Sequence, residues 1–315
     1  MTDALAAQVS SRPKALIICG PTGVGKTAFS IALAQKFGGE IVGADSMQIY
    51  RQMDIGTAKP SAAERSTVAH HLVDIVDPDA PFDAQKYAET AIQIVSKLTA
   101  HGIIPLVVGG TGLYIKALVF GLFDAESANA DLRERLKREA QAKGALPLYE
   151  RLTAVDPDTA RKLHPNDTHR VIRALEIYEI SGAPLSAYHR RHRFQQRRLE
   201  TLTLGLHMGR EQLYQRIDAR VDAMLNAGLL DEVRRLLDDG YSPDLKSMQS
   251  IGYRHMINFL HGRMNWEEAV RTLKRDTRRY AKRQLTWFRA DRQVVWIGVE
   301  SQAAIRQRVD GFLSS

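Results

Sequence analysis

The chain has 315 residues, about twice the ~150 of an ordinary domain, with 44% hydrophobic and 25% charged residues, which excludes wholesale disorder. A single cysteine, Cys19, excludes a disulfide framework and any thiolate-built zinc site. No apolar run approaches the roughly 18 residues of a membrane span and Met1 to Pro13 lacks a secretion signal, so a cytoplasmic protein with a flexible segment over 1–13 is expected; its formal charge of +8 suggests an anionic partner.

The first third alternates strand and helix. Ala15 to Cys19 is a short apolar run between Pro13 and Gly20, the pattern of a buried parallel strand. Thr27 to Phe37 carries apolar residues at helical spacing and stops at Gly38-Gly39. Glu40 to Ala44 predicts a second strand, ending at Asp45, and Ala84 to His101 an amphipathic helix closed by Gly102. Ile103 to Val108 predicts a third strand running into Gly109-Gly110-Thr111-Gly112. Such alternation implies an α/β fold with a parallel sheet covered on both faces. From Asp131 to Tyr188 the pattern is helical, Thr201 to Leu206 returns to strand, Arg210 to Phe288 is helical again, and Val294 to Ile297 predicts a last strand. The expected organisation is an α/β core over 14–121 and 199–315, interrupted by an all-helical insertion over 122–198.

The basic residues are concentrated in the second half. Ser186 to Arg198 holds Arg190, Arg191, Arg193, Arg197 and Arg198 without an acid, and Arg271 to Arg292 holds nine Lys and Arg against Asp276 and Asp291.

Gly20, Pro21, Thr22, Gly23, Val24, Gly25, Lys26 and Thr27 fit G-x-x-x-x-G-K-[ST] between a strand and a helix, the context that motif needs. Glycines let successive N–H groups turn inward on phosphate oxygens, the helix N-terminus and Lys26 add positive charge, and the Thr27 hydroxyl can ligate Mg²⁺. The loop implies a bound phosphate or diphosphate without saying which. Proteins that transfer a γ-phosphate usually carry a second acid near Mg²⁺. Asp45 is either that residue or a base beside the phosphate.

Further segments narrow the field. Asp45-Ser-Met-Gln-Ile-Tyr50, Met53-Asp-Ile-Gly-Thr-Ala-Lys-Pro60, His70-His-Leu-Val-Asp-Ile75, Gly109-Gly-Thr-Gly-Leu-Tyr114, His164-Pro-Asn-Asp-Thr-His-Arg170, Ile251-Gly-Tyr-Arg254 and Thr277-Arg-Arg-Tyr-Ala-Lys-Arg-Gln-Leu-Thr-Trp287 follow the phosphate loop in this order. Over about residues 14–298 the chain thereby resembles the tRNA dimethylallyltransferases, P-loop proteins, in their shorter bacterial form without the zinc finger of many eukaryotic members. Gly23-Val24 stands where many members have Ala-Ser, positions that offer backbone N–H groups.

The resemblance implies transfer of a dimethylallyl group from its diphosphate to N6 of adenosine 37 of tRNA, with Mg²⁺ as cofactor, the anticodon stem-loop as partner, no membrane, and a monomeric enzyme. It implies that Asp45 takes the N6 proton, that Thr111 lies near the reacting base, and that Arg220 adds to the diphosphate site, with Arg216 competing for that role. The extruded adenine would meet Asp45, Ser46, Met47, Gln48 and Thr111, the Gln48 amide offering donor and acceptor together. Other RNA contacts implied are Arg133; His169, Arg170, Val171, Ile172 and Arg173; Gln249, Ser250, Ile251, Gly252, Tyr253 and Arg254; and Arg279, Lys282, Arg283 and Thr286 at helical spacing, with Trp287 assigned to the core. Three other readings stay open on the residues alone: a small-molecule or nucleotide kinase, prenylation of free AMP, and a non-catalytic RNA-binding ATPase.

Overall fold

The computed structural model describes residues 12–122, 129–192, 196–298 and 302–314. The flexible segment expected over 1–13 falls, through residue 11, outside them, as does Arg193 of the basic run. The first part of the chain runs β1 (Lys14–Cys19), α1 (Lys26–Phe37), β2 (Gly39–Gly43), α2 (Ala62–Thr67), β3 (His70–His71), α3 (Ala84–Ala100), β4 (Ile104–Gly109) and α4 (Gly112–Phe120). The middle is helical: α5 (Ala130–Lys143), α6 (Leu146–Val155), α7 (Pro157–Ala160), α8 (Thr168–Ser181) and α9 (Leu185–His192). The last part holds β5 (Glu200–His207), α10 (Arg210–Asn226), α11 (Leu229–Asp238), α12 (Tyr253–Leu260), α13 (Trp266–Arg289), β6 (Val295–Gly298) and α14 (Gln302–Ser314). Contacts divide the chain into two compact units, Met1–Val119 with Arg198–Ser315, and Phe120–Arg197.

The first unit is built on a six-stranded parallel sheet in the order β3-β2-β4-β1-β5-β6. β1 lies inside it, with Ile18 opposite Val108 of β4 on one side and Leu204 of β5 on the other. Ala15 to Cys19 are all buried, which is why the strand reads as an unbroken apolar run rather than an alternating one. Each fully buried Leu or Ile there contributes about 1.5–3 kcal/mol. α1 stops at Gly38, whose left-handed φ of 63° lets its N–H return to the Ala34 carbonyl. α3 starts at Asp83, whose carboxylate accepts from the N–H groups of Gln85 and Lys86. A second core lies among Ile49, Met53, Leu229, Val233, Met248, Tyr253 and Met256, where the segment after β2 packs on α11 and α12.

The helical unit closes its own core from Leu136, Leu148, Leu152, Val171 and Leu175. Buried Asp156 caps α7 through the Thr159 N–H and hydroxyl and accepts from the Ser186 N–H at 2.9 Å. β3, α2, α4 and α14 have no counterpart among the predicted elements; for β3, two residues are too few to show a period. The helices expected from 210 to 288 are α10 to α13, with the longest break between α11 and α12, where Gly240, Pro243 and Gly252 punctuate the chain. Among the described residues no helix is long and apolar enough to cross a membrane.

Candidate functional site

Parallel neighbours in the order β2-β4-β1 bring three carboxyl ends to one edge of the sheet, the usual place for a ligand in an open α/β fold. Gly20 to Lys26 follows β1, Ala44 and Asp45 follow β2, and Gly109 ends β4 with Gly110 and Thr111 after it. The last two approach so closely that a Cβ on Gly109 would lie 2.0 Å from the Ala44 carbonyl oxygen. Only glycine allows that approach, which is what brings Thr111 beside Ser46.

The phosphate loop is tied down from both sides. Lys26 Nζ donates to the carbonyls of Gly20 at 3.0 Å and Pro21 at 2.9 Å, which leaves its third proton for a ligand. Burial pulls Lys26 down from 10.5 to about 8, against the pull of Asp45. The Thr22 N–H donates to Gln284 Oε1 at 2.8 Å, while Gln284 Nε2 donates to the Gly110 carbonyl at 3.0 Å. One side chain of α13 thus fastens the β1 loop to the β4 loop. Arg220 of α10 donates to the Thr22 hydroxyl at 3.4 Å, and burial lowers its pKa while Asp45 opposes the shift. Arg216 lines the same cavity, so the structure brings both arginines to the site.

Asp45 Oδ1 accepts from the N–H groups of Met47 at 2.9 Å and Gln48 at 3.4 Å. Its Oδ2 accepts no hydrogen bond from the described residues, which leaves one carboxylate oxygen for a ligand proton. The Thr111 hydroxyl accepts from the Ser46 N–H at 3.1 Å and donates to the Ser46 hydroxyl at 3.4 Å. Burial raises the Tyr280 pKa, with the Asp45 charge adding to the shift.

These groups surround a cavity of about 590 Å³, except Thr111, which does not line it and touches the site through Ser46. Thr22, Lys26, Thr27, Arg216 and Arg220 form its anionic-ligand end; Asp45 to Gln48 and Gly56 to Ala58 line it from the β2 side; Gln249 to Gly252, Arg254, Tyr280, Arg283 and Gln284 complete it. Ser250 Oγ in this wall is buried with no hydrogen-bond partner. Among the described residues no three His, Cys, Asp or Glu cluster to hold a metal, and the cavity-lining residue that could hold a cation beside the phosphate loop is Thr27, whose hydroxyl is a hard oxygen at the start of α1. Such a donor fits Mg²⁺, which takes its remaining ligands from phosphate oxygens and water.

Other expected residues fall elsewhere. Arg279, Lys282, Arg283 and Thr286 share one exposed face of α13, as their spacing predicts, but only Arg283 lines the cavity. Trp287, assigned to the core, is 44% exposed. Tyr253 is fully buried with its hydroxyl on Glu232, so its side chain is not available to RNA. Val171 and Ile172 are buried in the helical unit, where they pack rather than meet a partner. In that unit His169 and Arg170 are exposed, and Arg133 and Arg173 both bond Oε2 of buried Glu176 at 2.8 Å. Their charge is partly spent on that carboxylate. Sequence reasoning missed Gln284 and Tyr280 as cavity residues. Their i, i+4 spacing on α13, beside Arg283, is the signal that could have found them.

A family model described as IPP transferase matches residues 48–291. The tRNA dimethylallyltransferase of Desulfosudis oleivorans is 53% identical over 287 residues, covering 91% of each chain. That of Syntrophobacter fumaroxidans is 52% identical over 294 residues, 93% of this chain and 86% of the relative. Among solved structures, the full-length tRNA isopentenylpyrophosphate transferase from Bacillus halodurans matches with a TM-score of 0.71 at 40% identity, covering 96% of this chain and 97% of that one. A eukaryotic dimethylallyltransferase acting on tRNA matches with a TM-score of 0.81 at 31% identity, covering 96% and 79%.

Proposed function

The chain belongs to the tRNA dimethylallyltransferase family, and from that premise we propose that it transfers a dimethylallyl group from dimethylallyl diphosphate to N6 of adenosine 37 in tRNA. The observation that carries this reading is a single cavity with a cationic loop at one end and a carboxylate, Asp45, on its wall.

The exocyclic amine of adenine is a weak nucleophile, because its lone pair is delocalised into the ring. Two kinds of assistance are needed, and the cavity holds residues for both. Asp45 Oδ2 accepts one N6 proton as nitrogen forms its bond to the allylic carbon. The carbon–oxygen bond breaks and its electron pair leaves with the diphosphate. Lys26, the loop N–H groups, Arg220 and Arg216 stabilise that departing charge. Mg²⁺ held by Thr27 would neutralise further charge on the diphosphate when bound. Reaching N6 requires the base to leave its stack, at a few kcal/mol. Ser46, Met47 and Gln48 receive it, with Thr111 bonded to Ser46, and the exposed basic faces of α13 and α8 meet phosphates.

Incubation with labelled dimethylallyl diphosphate and total tRNA, followed by digestion, is expected to yield N6-modified adenosine. Label on free AMP alone, or hydrolysis of ATP that depends on tRNA without prenyl transfer, would replace this reading with another. Lys26→Ala is expected to abolish diphosphate retention.

A further inference from the structure

We propose that Glu232 is a positioning residue that fixes the polarity of Gln48, so that the cavity selects a purine with an amino group at position 6 over one with a carbonyl there. This rests on the cavity receiving a base, as above, and concerns which edge it accepts.

Gln48 Nε2 lies 3.1 Å from the carbonyl oxygens of both Thr57 and Ala58. Carbonyl oxygens only accept, so the amide atom facing them is the nitrogen, and both of its protons are used. The remaining polar atom of this cavity-lining side chain is Oε1, which accepts no hydrogen bond from the described residues. Gln48 therefore meets a ligand as an acceptor and cannot offer the paired donor and acceptor that its residue type suggests. The 6-amino group of adenine satisfies such an atom. The 6-carbonyl of hypoxanthine or guanine would set acceptor against acceptor. With Asp45 taking one amino proton, Gln48 holds the other.

This polarity depends on where the Thr57 and Ala58 carbonyls stand, and Glu232 of α11 places them. Its carboxylate is 3% exposed and accepts four hydrogen bonds: Oε2 from the N–H groups of Asp54 at 3.0 Å and Ile55 at 2.8 Å, Oε1 from the Gly56 N–H at 3.1 Å and the Tyr253 hydroxyl at 2.6 Å. A buried carboxylate is costly unless it is fully bonded, and this one spends three of its bonds on consecutive N–H groups directly before Thr57. Lys59, its side chain 2% exposed, holds the other end through the Tyr50 carbonyl at 2.7 Å, Asp54 at 2.6 Å and Asp74. Between the two anchors Ala58 keeps a left-handed φ of 49°, a conformation that a non-glycine residue holds only when its surroundings impose it.

The test measures binding of the full chain to two RNA hairpins that differ only in adenosine or inosine at the target position. The parent protein is expected to prefer adenosine by roughly tenfold or more. Gln48→Met, which removes the acceptor, and Glu232→Gln, which places an amide donor against the Gly56 N–H, are expected to bring that ratio to about 1–3, with affinity for inorganic diphosphate held within about threefold. A parent protein without preference, or Gln48→Met with the parent's ratio, overturns the polarity. A folded Glu232→Gln that keeps the ratio overturns the role of Glu232. Should that variant not fold, Tyr253→Phe, which removes one of the two bonds on Oε1, decides the point by whether the ratio falls. Prenyl transfer by the parent is scored separately: binding without transfer counts against the proposed reaction and leaves the ratio to judge this inference, whereas binding of neither hairpin removes both.

Discussion

Raising the pH should weaken the grip of the loop on diphosphate, and the structure sets the size of the effect. Burial pulls Lys26 down from 10.5 to about 8 in the free protein. A bound diphosphate favours the ammonium and restores at least the ordinary value. Protonated Lys26 is about nine-tenths of the free protein at pH 7 and about 3% at pH 9.5, so affinity should fall about 30-fold across that range, or about 2 kcal/mol. The sign follows from linkage: the free protein binds fewer protons than the complex above pH 8, so the proton must be recovered on binding. The assay is calorimetric titration of inorganic diphosphate from pH 7 to 9.5, run beside Lys26→Arg. Arginine stays charged throughout, and the ligand's own ionisation divides out of the ratio between the two proteins. Parallel pH profiles for parent and variant would refute the reasoning, because they would place the ammonium's titration outside this window.

Asp45→Asn keeps the Oδ1 that accepts from Met47 and Gln48, so it should bind the RNA hairpin within a few-fold of the parent while single-turnover transfer drops ~10²–10⁴-fold. Near-normal turnover would remove Asp45 as the base. Gly109→Ala places a Cβ 2.0 Å from the Ala44 carbonyl oxygen, so urea unfolding should show a loss of at least about 1–3 kcal/mol, and unchanged stability would mean the two loops part easily. If ~6 phosphates are neutralised, the log–log dependence of hairpin affinity on salt should have a slope near −4 to −5; a flat response would sink the assignments on α13 and α8.

Some of these features could be read from local sequence. β1 and α1 are legible because burial on both faces, the Gly38 stop and the loop between them are written in consecutive residues. The exposed stripe Arg279, Lys282, Arg283 and Thr286 follows from helical period alone. Trp287 shows the limit of residue-type reasoning: a large aromatic at helical spacing suggests core, yet it lies outside the apolar face and is exposed. Tyr253, Val171 and Ile172 sit in motifs associated with RNA, but their side chains serve packing, which a motif match does not separate from contact.

The contacts that organise the cavity join distant parts of the chain. Gln284 reaches Thr22 across 262 residues, and Glu232 reaches Asp54 across 178. What the sequence determined by itself was the kind of chemistry available: a phosphate loop, an acid at a strand end, an amide beside it. Tertiary structure alone decided how those groups are presented, because the direction of a hydrogen bond at Gln48 and the remaining proton of Lys26 depend on which backbone carbonyls folding brings within about 3 Å. Residue type sets the capacity to donate or accept, and neighbours remote in sequence determine how much of it is left for a ligand.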